Sequence, residues 1–240
     1  MKKLIVLPIF LFALYATAQE PESKPDLSKL YPKRLVSKIE FLVGPSIIYP
    51  YGNEGFEKAR VIKLGFAANV GLVHVINSRL AINLKFRYEN KGSKTVAYSP
   101  NIPPPDRQKS IADVTLNYAT VSLLPHYFIW KERKFYIAVG PYFGYLNIVK
   151  VSFEVYMNGV LSGQSTSRPD PHLFNNAFDG GITTLIGYNI HINKKTDCSV
   201  QFLNNLGLIY LTKDASYPVR NNTFTLLLGF SINKNSYVKP

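Results

Sequence analysis

Residues 61–89 read VIKLGFAANVGLVHVINSRLAINLKFRYE, and this stretch decides the fold. Ile62, Leu64, Phe66, Ala68, Val70 and Leu72 fall on one parity, against Lys63, Gly65, Ala67, Asn69 and Gly71 on the other. After a break at Asn77 and Ser78, Leu80, Ile82, Leu84, Phe86 and Tyr88 alternate with Ala81, Asn83, Lys85, Arg87 and Glu89. A period of two is that of a β-strand with one apolar and one polar face. Each run is long enough to cross a bilayer as a tilted strand, which takes ~9–11 residues. Large polar residues interleaved with Gly and Ala on the second face suit a narrow polar lumen. The two runs therefore predict one hairpin of a transmembrane β-barrel.

The same pattern recurs on either side. A first strand is expected over 38–48, with Ile39, Phe41, Val43 and Ile47 on one face. A fourth runs over 113–129. Its apolar phase moves from Val114, Leu116 and Tyr118 to Val121 and Leu123, which predicts a β-bulge near Ala119 and Thr120. A fifth runs from 134 toward 156, a sixth over 178–192, a seventh over 197–211, and an eighth closes the chain around 221–232. Between them lie loops at 49–60, 91–112, 158–176 and 212–222. Prolines 100, 103, 104 and 105 bar a central strand from the second of these, because proline cannot donate to a ladder. Short turns fall near 77–78, 131–133 and 193–196. Long and short connections alternate along the whole chain. That is the rhythm of an outer-membrane barrel, with long extracellular loops and short periplasmic turns.

Residues 1–18 have the form of an export signal. Lys2 and Lys3 precede an apolar run, and Ala16-Thr17-Ala18 supplies the small-x-small cleavage site. Residues 19–37, rich in Pro and charge, read as a flexible periplasmic lead-in; the barrel is expected over 38–233 and a short tail over 234–240. The single cysteine, Cys198, excludes an internal disulfide. Taking Lys2 and Lys3 from the 28 basic residues leaves 26 against 15 acidic ones, a net charge of +11. In an exported protein that charge points to lipopolysaccharide phosphates and not to nucleic acid. The expected location is the outer membrane of a Gram-negative cell.

Residues 116–128, Leu-Asn-Tyr-Ala-Thr-Val-Ser-Leu-Leu-Pro-His-Tyr-Phe, and residues 134–146, with Gly140-Pro141-Tyr142 at their centre, resemble strands of the PorT-like outer-membrane β-barrel family. Residues 221–232 resemble its closing strand. The resemblance spans most of the mature chain. It implies an eight-stranded outer-membrane barrel without catalytic residues, and one branch of the family serves a dedicated protein-secretion system.

The four histidines, His74, His126, His172 and His191, share no metal-ligand spacing, so neither metal nor cofactor is expected. Ser122 and His126 fall on one face but ~13 Å apart at ~3.3 Å per residue, too far for a catalytic hydrogen bond. The inward charges are the better candidates. Glu40 and Glu89 are expected to pair with Lys63, Lys85 and Arg87 in a network that fills the lumen, since charges taken out of water need partners. Tyr127, Phe128 and Trp130 at one end, and Tyr88 at the other, are expected in aromatic girdles. The chain is thus read as a monomeric, non-enzymatic barrel. Its loops would serve structural, binding or secretion-supporting contacts with surface or secretion-system proteins. A small-solute pore or a lipid-modifying enzyme is the alternative.

Overall fold

The structure, a computed structural model, describes residues 37–52, 54–99, 108–129, 133–171, 176–193, 195–211 and 218–233. The export signal, all of the lead-in but Ser37, prolines 100–105, Trp130, His172 and the C-terminal tail lie outside the described residues. The elements are β1 (Ser37–Ile48), α1 (Glu54–Ala59), β2 (Arg60–Val61), β3 (Lys63–Val75), β4 (Leu80–Tyr98), β5 (Lys109–Phe128), β6 (Phe135–Met157), β7 (Val160–Ser167), β8 (Phe178–His191), β9 (Thr196–Gly207) and β10 (Asn222–Asn233).

Eight of these strands close a ring. β1 pairs with β3, and antiparallel pairing then runs through β4, β5, β6, β8, β9 and β10, which returns to β1 through Phe41 opposite Phe230. Closure leaves no unpaired edge in the wall, the condition for strands in lipid. Two short turns use one device. Asn77 Oδ1 accepts the backbone N–H groups of Arg79 and Leu80 at 2.8 Å, and Asn193 Oδ1 accepts those of Lys195 and Thr196 at 2.8 and 2.9 Å.

The outward parity is apolar and open to the surroundings, with Leu64, Phe86, Leu123, Phe143, Ile186, Phe202 and Leu228 each close to half exposed or more. Outward tyrosines mark two boundaries, Tyr49, Tyr88 and Tyr145 at the long-loop end and Tyr127 and Tyr188 at the short-turn end. On β8 the outward band runs from Phe178 to Tyr188, a stretch that matches the ~9–11 residues of a tilted span. Phe128, expected in a girdle, points inward instead. It is buried against Tyr136, ring centroids 5.5 Å apart, because its even parity is that of the lumen-facing residues of β5.

Beyond the upper boundary the wall does not stop everywhere. β4, β5 and β6 are 19, 20 and 23 residues long against 12 for β1, β9 and β10. Their excess, with β2 on the outer edge of β4 and β7 on that of β6, forms a five-stranded ledge whose strands run on for roughly 30 Å of their own length at ~3.3 Å per residue. The expected loops are corrected accordingly. Residues 91–98 and 109–112 are strand, paired from Lys91–Leu116 to Tyr98–Lys109; residues 160–167 are strand; and the loop at 49–60 contains α1.

The bulge also moves. The irregularity falls between Asn117 and Tyr118, which pair with Ile148 and Leu146, so Asn147 of β6 is the extra residue. β5 keeps its parity throughout. Its apolar phase changes because the upper lumen is itself apolar, where Leu116, Tyr118, Leu146, Val149 and Val151 pack with Leu211 and Val219.

Candidate functional site

β4 carries the lumen's polar spine. Its inward positions Asn83, Lys85, Arg87, Glu89 and Lys91 are all polar and at most 4% exposed, a consequence of the two-residue period continuing beyond the end expected for this strand. Three carboxylates from other positions or strands meet three cations here. Glu40 of β1 lies 3.8 Å from Lys85. Glu89 lies 3.4 Å from Arg87 and 3.0 Å from Lys91. Asp179 of β8 lies 2.7 Å from Lys91, whose ammonium is thus clamped between two buried carboxylates. The six charges sum to zero.

Neutral groups complete the shell. Asn83 donates to Glu40 at 2.9 Å, Asn69 accepts Arg87 Nε at 2.7 Å, and Asn205 donates to both Glu89 oxygens at 3.2 Å. Asn221 and Tyr142 both donate to Asp179, and Lys91 also sits 4.6 Å from the Tyr142 ring centroid. Lys85 donates to Gln201, whose amide donates to Tyr136 at 2.7 Å; the Tyr136 ring stacks on His126 at 4.7 Å. A buried ion that keeps its charge needs this density of partners.

Of the residues expected to form this network, the structure brings together Glu40, Lys85, Arg87 and Glu89. Lys63 stands apart. The β3–β4 ladder begins only at Ala67 opposite Glu89, so Lys63 lies above both carboxylates and reaches over β4 to Asp113, the Val114 carbonyl and Thr115. The sequence expectation lacks Lys91, which falls within the loop expected over 91–112, and Asp179, which stands at the start of a strand. For Lys91 the odd parity it shares with Asn83, Lys85, Arg87 and Glu89 is the available signal, although the apolar face ends at Tyr88; for Asp179 the sequence offers none beyond even parity.

Ser122 and His126 both face the lumen and are buried. No group of three or more metal-ligating side chains occurs among the described residues. His191 meets Asp197, which also holds Lys38, at the short-turn rim. Tyr136 and Tyr142 line the lumen, whereas Tyr188 faces out.

The ledge is the second candidate. Its lumen-side face offers Ala112, Val114, Phe153 and Val155, with Phe153 51% exposed. On its other face Tyr156 donates to Glu154 at 2.9 Å, and that hydrogen bond holds the phenol above its ordinary range. β7 is exposed along its full length.

A family model described as outer membrane protein beta-barrel domain matches residues 33–213. No curated protein sequence matches the chain. In shape the chain is similar to the attachment invasion locus protein Ail of Yersinia pestis (11% identity, TM-score 0.40, covering 81% of this chain and 98% of that one). It is similar also to Neisserial surface protein A (14% identity, TM-score 0.39, 82% and 96%) and to OprG of Pseudomonas aeruginosa (8% identity, TM-score 0.35, 82% and 94%).

Proposed function

The chain belongs to the outer membrane protein beta-barrel domain family, and from that premise we propose that it is a plugged barrel whose work is binding at the extracellular ledge. The observation that carries this reading is the pairing of a charge-neutral, side-chain-filled lumen with a ledge built from the longest strands of the chain. Loops and extensions on a rigid scaffold are where binding residues collect. The ledge offers a half-exposed Phe153 on one face and an uncovered edge at β7, the two features by which a sheet takes a partner protein.

The reading is non-enzymatic. A lipid approaching from the bilayer meets the outward parity, while Ser122 and His126 point inward and are buried. The Gly140-Pro141-Tyr142 motif supports placing the chain with the PorT-like members, and a secretion-supporting contact would then be made by the ledge. Export through a cleaved signal at residues 1–18 completes the proposal.

Excising the ledge tests it. With residues 94–110 and 152–168 each replaced by a short turn, the barrel is expected to fold and to keep a heat-dependent gel mobility. In a strain lacking the gene, this trimmed chain should behave as the deletion does. Full complementation by the trimmed chain would sink the binding-ledge reading.

A further inference from the structure

The outer wall above its midplane carries a groove of about 680 Å³, within the ~300–1,000 Å³ range of small-molecule sites. Its geometry follows from register. Val43, Ala68, Tyr88, Ala119 and Tyr145 lie side by side on five neighbouring strands, all outward. In this row two alanines alternate with larger side chains, so the wall is indented at Ala68 and Ala119 and raised at Tyr88 and Tyr145. The next row toward the midplane, with Phe86 and Val121, forms the lower wall. The lining is almost entirely apolar. The groove spans the upper tyrosine row and the row beneath it, at the top of the outer leaflet's acyl chains.

Directly above it the same strands turn polar, then basic. Asn90 and Asn117 form an outward amide pair at 2.5 Å, one row beyond the tyrosines. Lys150 stands on the row of Gly92 and Thr115, ~13 Å along the strand from Ala119, and Lys94 stands one row higher. Asp113, opposite Lys94, is already bound by Lys63. Neither Lys94 nor Lys150 has an ion-pair partner among the described residues. An apolar slot at acyl depth, an amide belt and two unneutralised ammonium groups in vertical succession match one amphiphile of the outer leaflet.

We propose that this face seats the lipid A portion of lipopolysaccharide, with an acyl chain in the Ala68–Ala119 groove and phosphate at Lys94 and Lys150. Small-residue indentations also admit a second copy of the chain, and apolar grooves admit any phospholipid; these are the competing outcomes.

The full folded chain in detergent is loaded with equal amounts of lipid A and phosphatidylethanolamine, washed, and its retained lipid weighed by native mass spectrometry. The wild type is expected to retain lipid A selectively and to lose that selectivity when lipid A stripped of its phosphates is offered, a comparison that needs no variant. K94Q with K150Q should weaken retention roughly 25-fold, since each lysine near an anionic surface contributes ~1 kcal/mol, about fivefold. A68L with A119L, which fills the indentation from the lipid side, should weaken it at least tenfold. Variants are compared only after a heat-dependent mobility shift shows a closed barrel, which separates failure of this site from failure of the fold. The proposal is overturned if phosphate-free lipid A is retained equally well, if both lipids respond alike to the groove-filling pair while the lysine pair changes nothing, or if A68L with A119L abolishes a cross-linked dimer and leaves lipid A retention unchanged.

Discussion

Replacing Lys91 by methionine is expected to destabilise the barrel by about 3–5 kcal/mol, the cost of removing one partner from a buried ionic cluster. Lys91 lies 3.0 Å from Glu89 and 2.7 Å from Asp179, and all three side chains are fully buried. Without the ammonium, two carboxylates face each other out of water. The loss is read as a fall in the temperature or urea concentration at which the compact, fast-migrating band on an unheated gel gives way to the unfolded one. Changing Asp179 to asparagine in the same chain removes the excess negative charge. The double variant should therefore recover part of the loss, so the two single effects will not add. Lys63→Met is the contrast. Its partner Asp113 has 35% of its side chain exposed, so water can take over from the lost ammonium and the effect should be smaller than at Lys91. Equal effects of Lys91→Met and Lys63→Met would show that the lumen cluster does not behave as a buried network.

Gly140→Ala is expected to cost about 3 kcal/mol or more, at the upper end of overpacking, through a clash that no rotamer change relieves. A Cβ there would stand 2.0 Å from the Leu123 carbonyl oxygen and 3.1 Å from its carbon. Gly140 precedes Pro141, which has no N–H to offer the ladder, and pairing between β5 and β6 lapses from Ser122–Tyr142 to His126–Ala138, a gap that also holds Pro125. The close approach of a carbonyl is shared with Gly181 and Gly229, where pairing is unbroken, so it belongs to the barrel wall and not to proline alone. The same Val-Gly-Pro motif recurs in β1, where pairing with β10 lapses between Val43–Leu228 and Ser46–Thr225 and a Cβ on Gly44 would meet the Leu226 carbonyl oxygen at 1.8 Å. Gly163 on β7 is the control. Nothing lies within 4 Å of its added Cβ, so Gly163→Ala should be neutral or stabilise by about 0.5 kcal/mol. The melting of the folded band ranks the two variants.

These residues also show where the sequence could be read and where it could not. The wall was legible because lipid on one side and a polar lumen on the other impose a strict period of two from Leu64 to Tyr88. The lumen charges Glu40, Lys85, Arg87 and Glu89 share that parity, so their common burial could be expected from it. The same rule carried one step further would have reached Lys91. The prolines at 100–105 drew the boundary too early, since they bar a strand only where they stand and not ten residues before. Pro45, Pro125 and Pro141 lie inside barrel strands, so proline marks a lapse in one ladder and not the end of a strand. β7 was illegible for a different reason. It is exposed on both faces, so no periodicity separates Val160–Ser167 from a polar loop. The phase change of β5 predicts a bulge at Ala119 and Thr120, but that change reflects a change in the lumen from polar to apolar. The true signal was in β6, where outward residues pass from odd numbers through Tyr145 to even ones at Ile148 and Lys150. The charge clamp between Lys91 and Asp179 joins residues 88 positions apart and follows only from ring closure.

The plugged lumen is the claim on which the account turns, and conductance across a planar bilayer tests it most directly. Purified full-length protein, inserted and shown to be folded by its heat-dependent mobility, is predicted to give a flat baseline with no unitary steps in salt solution. Reproducible single-channel steps from the wild-type chain would contradict it, returning the lumen to the role of a pore and removing the reason to place function on the ledge.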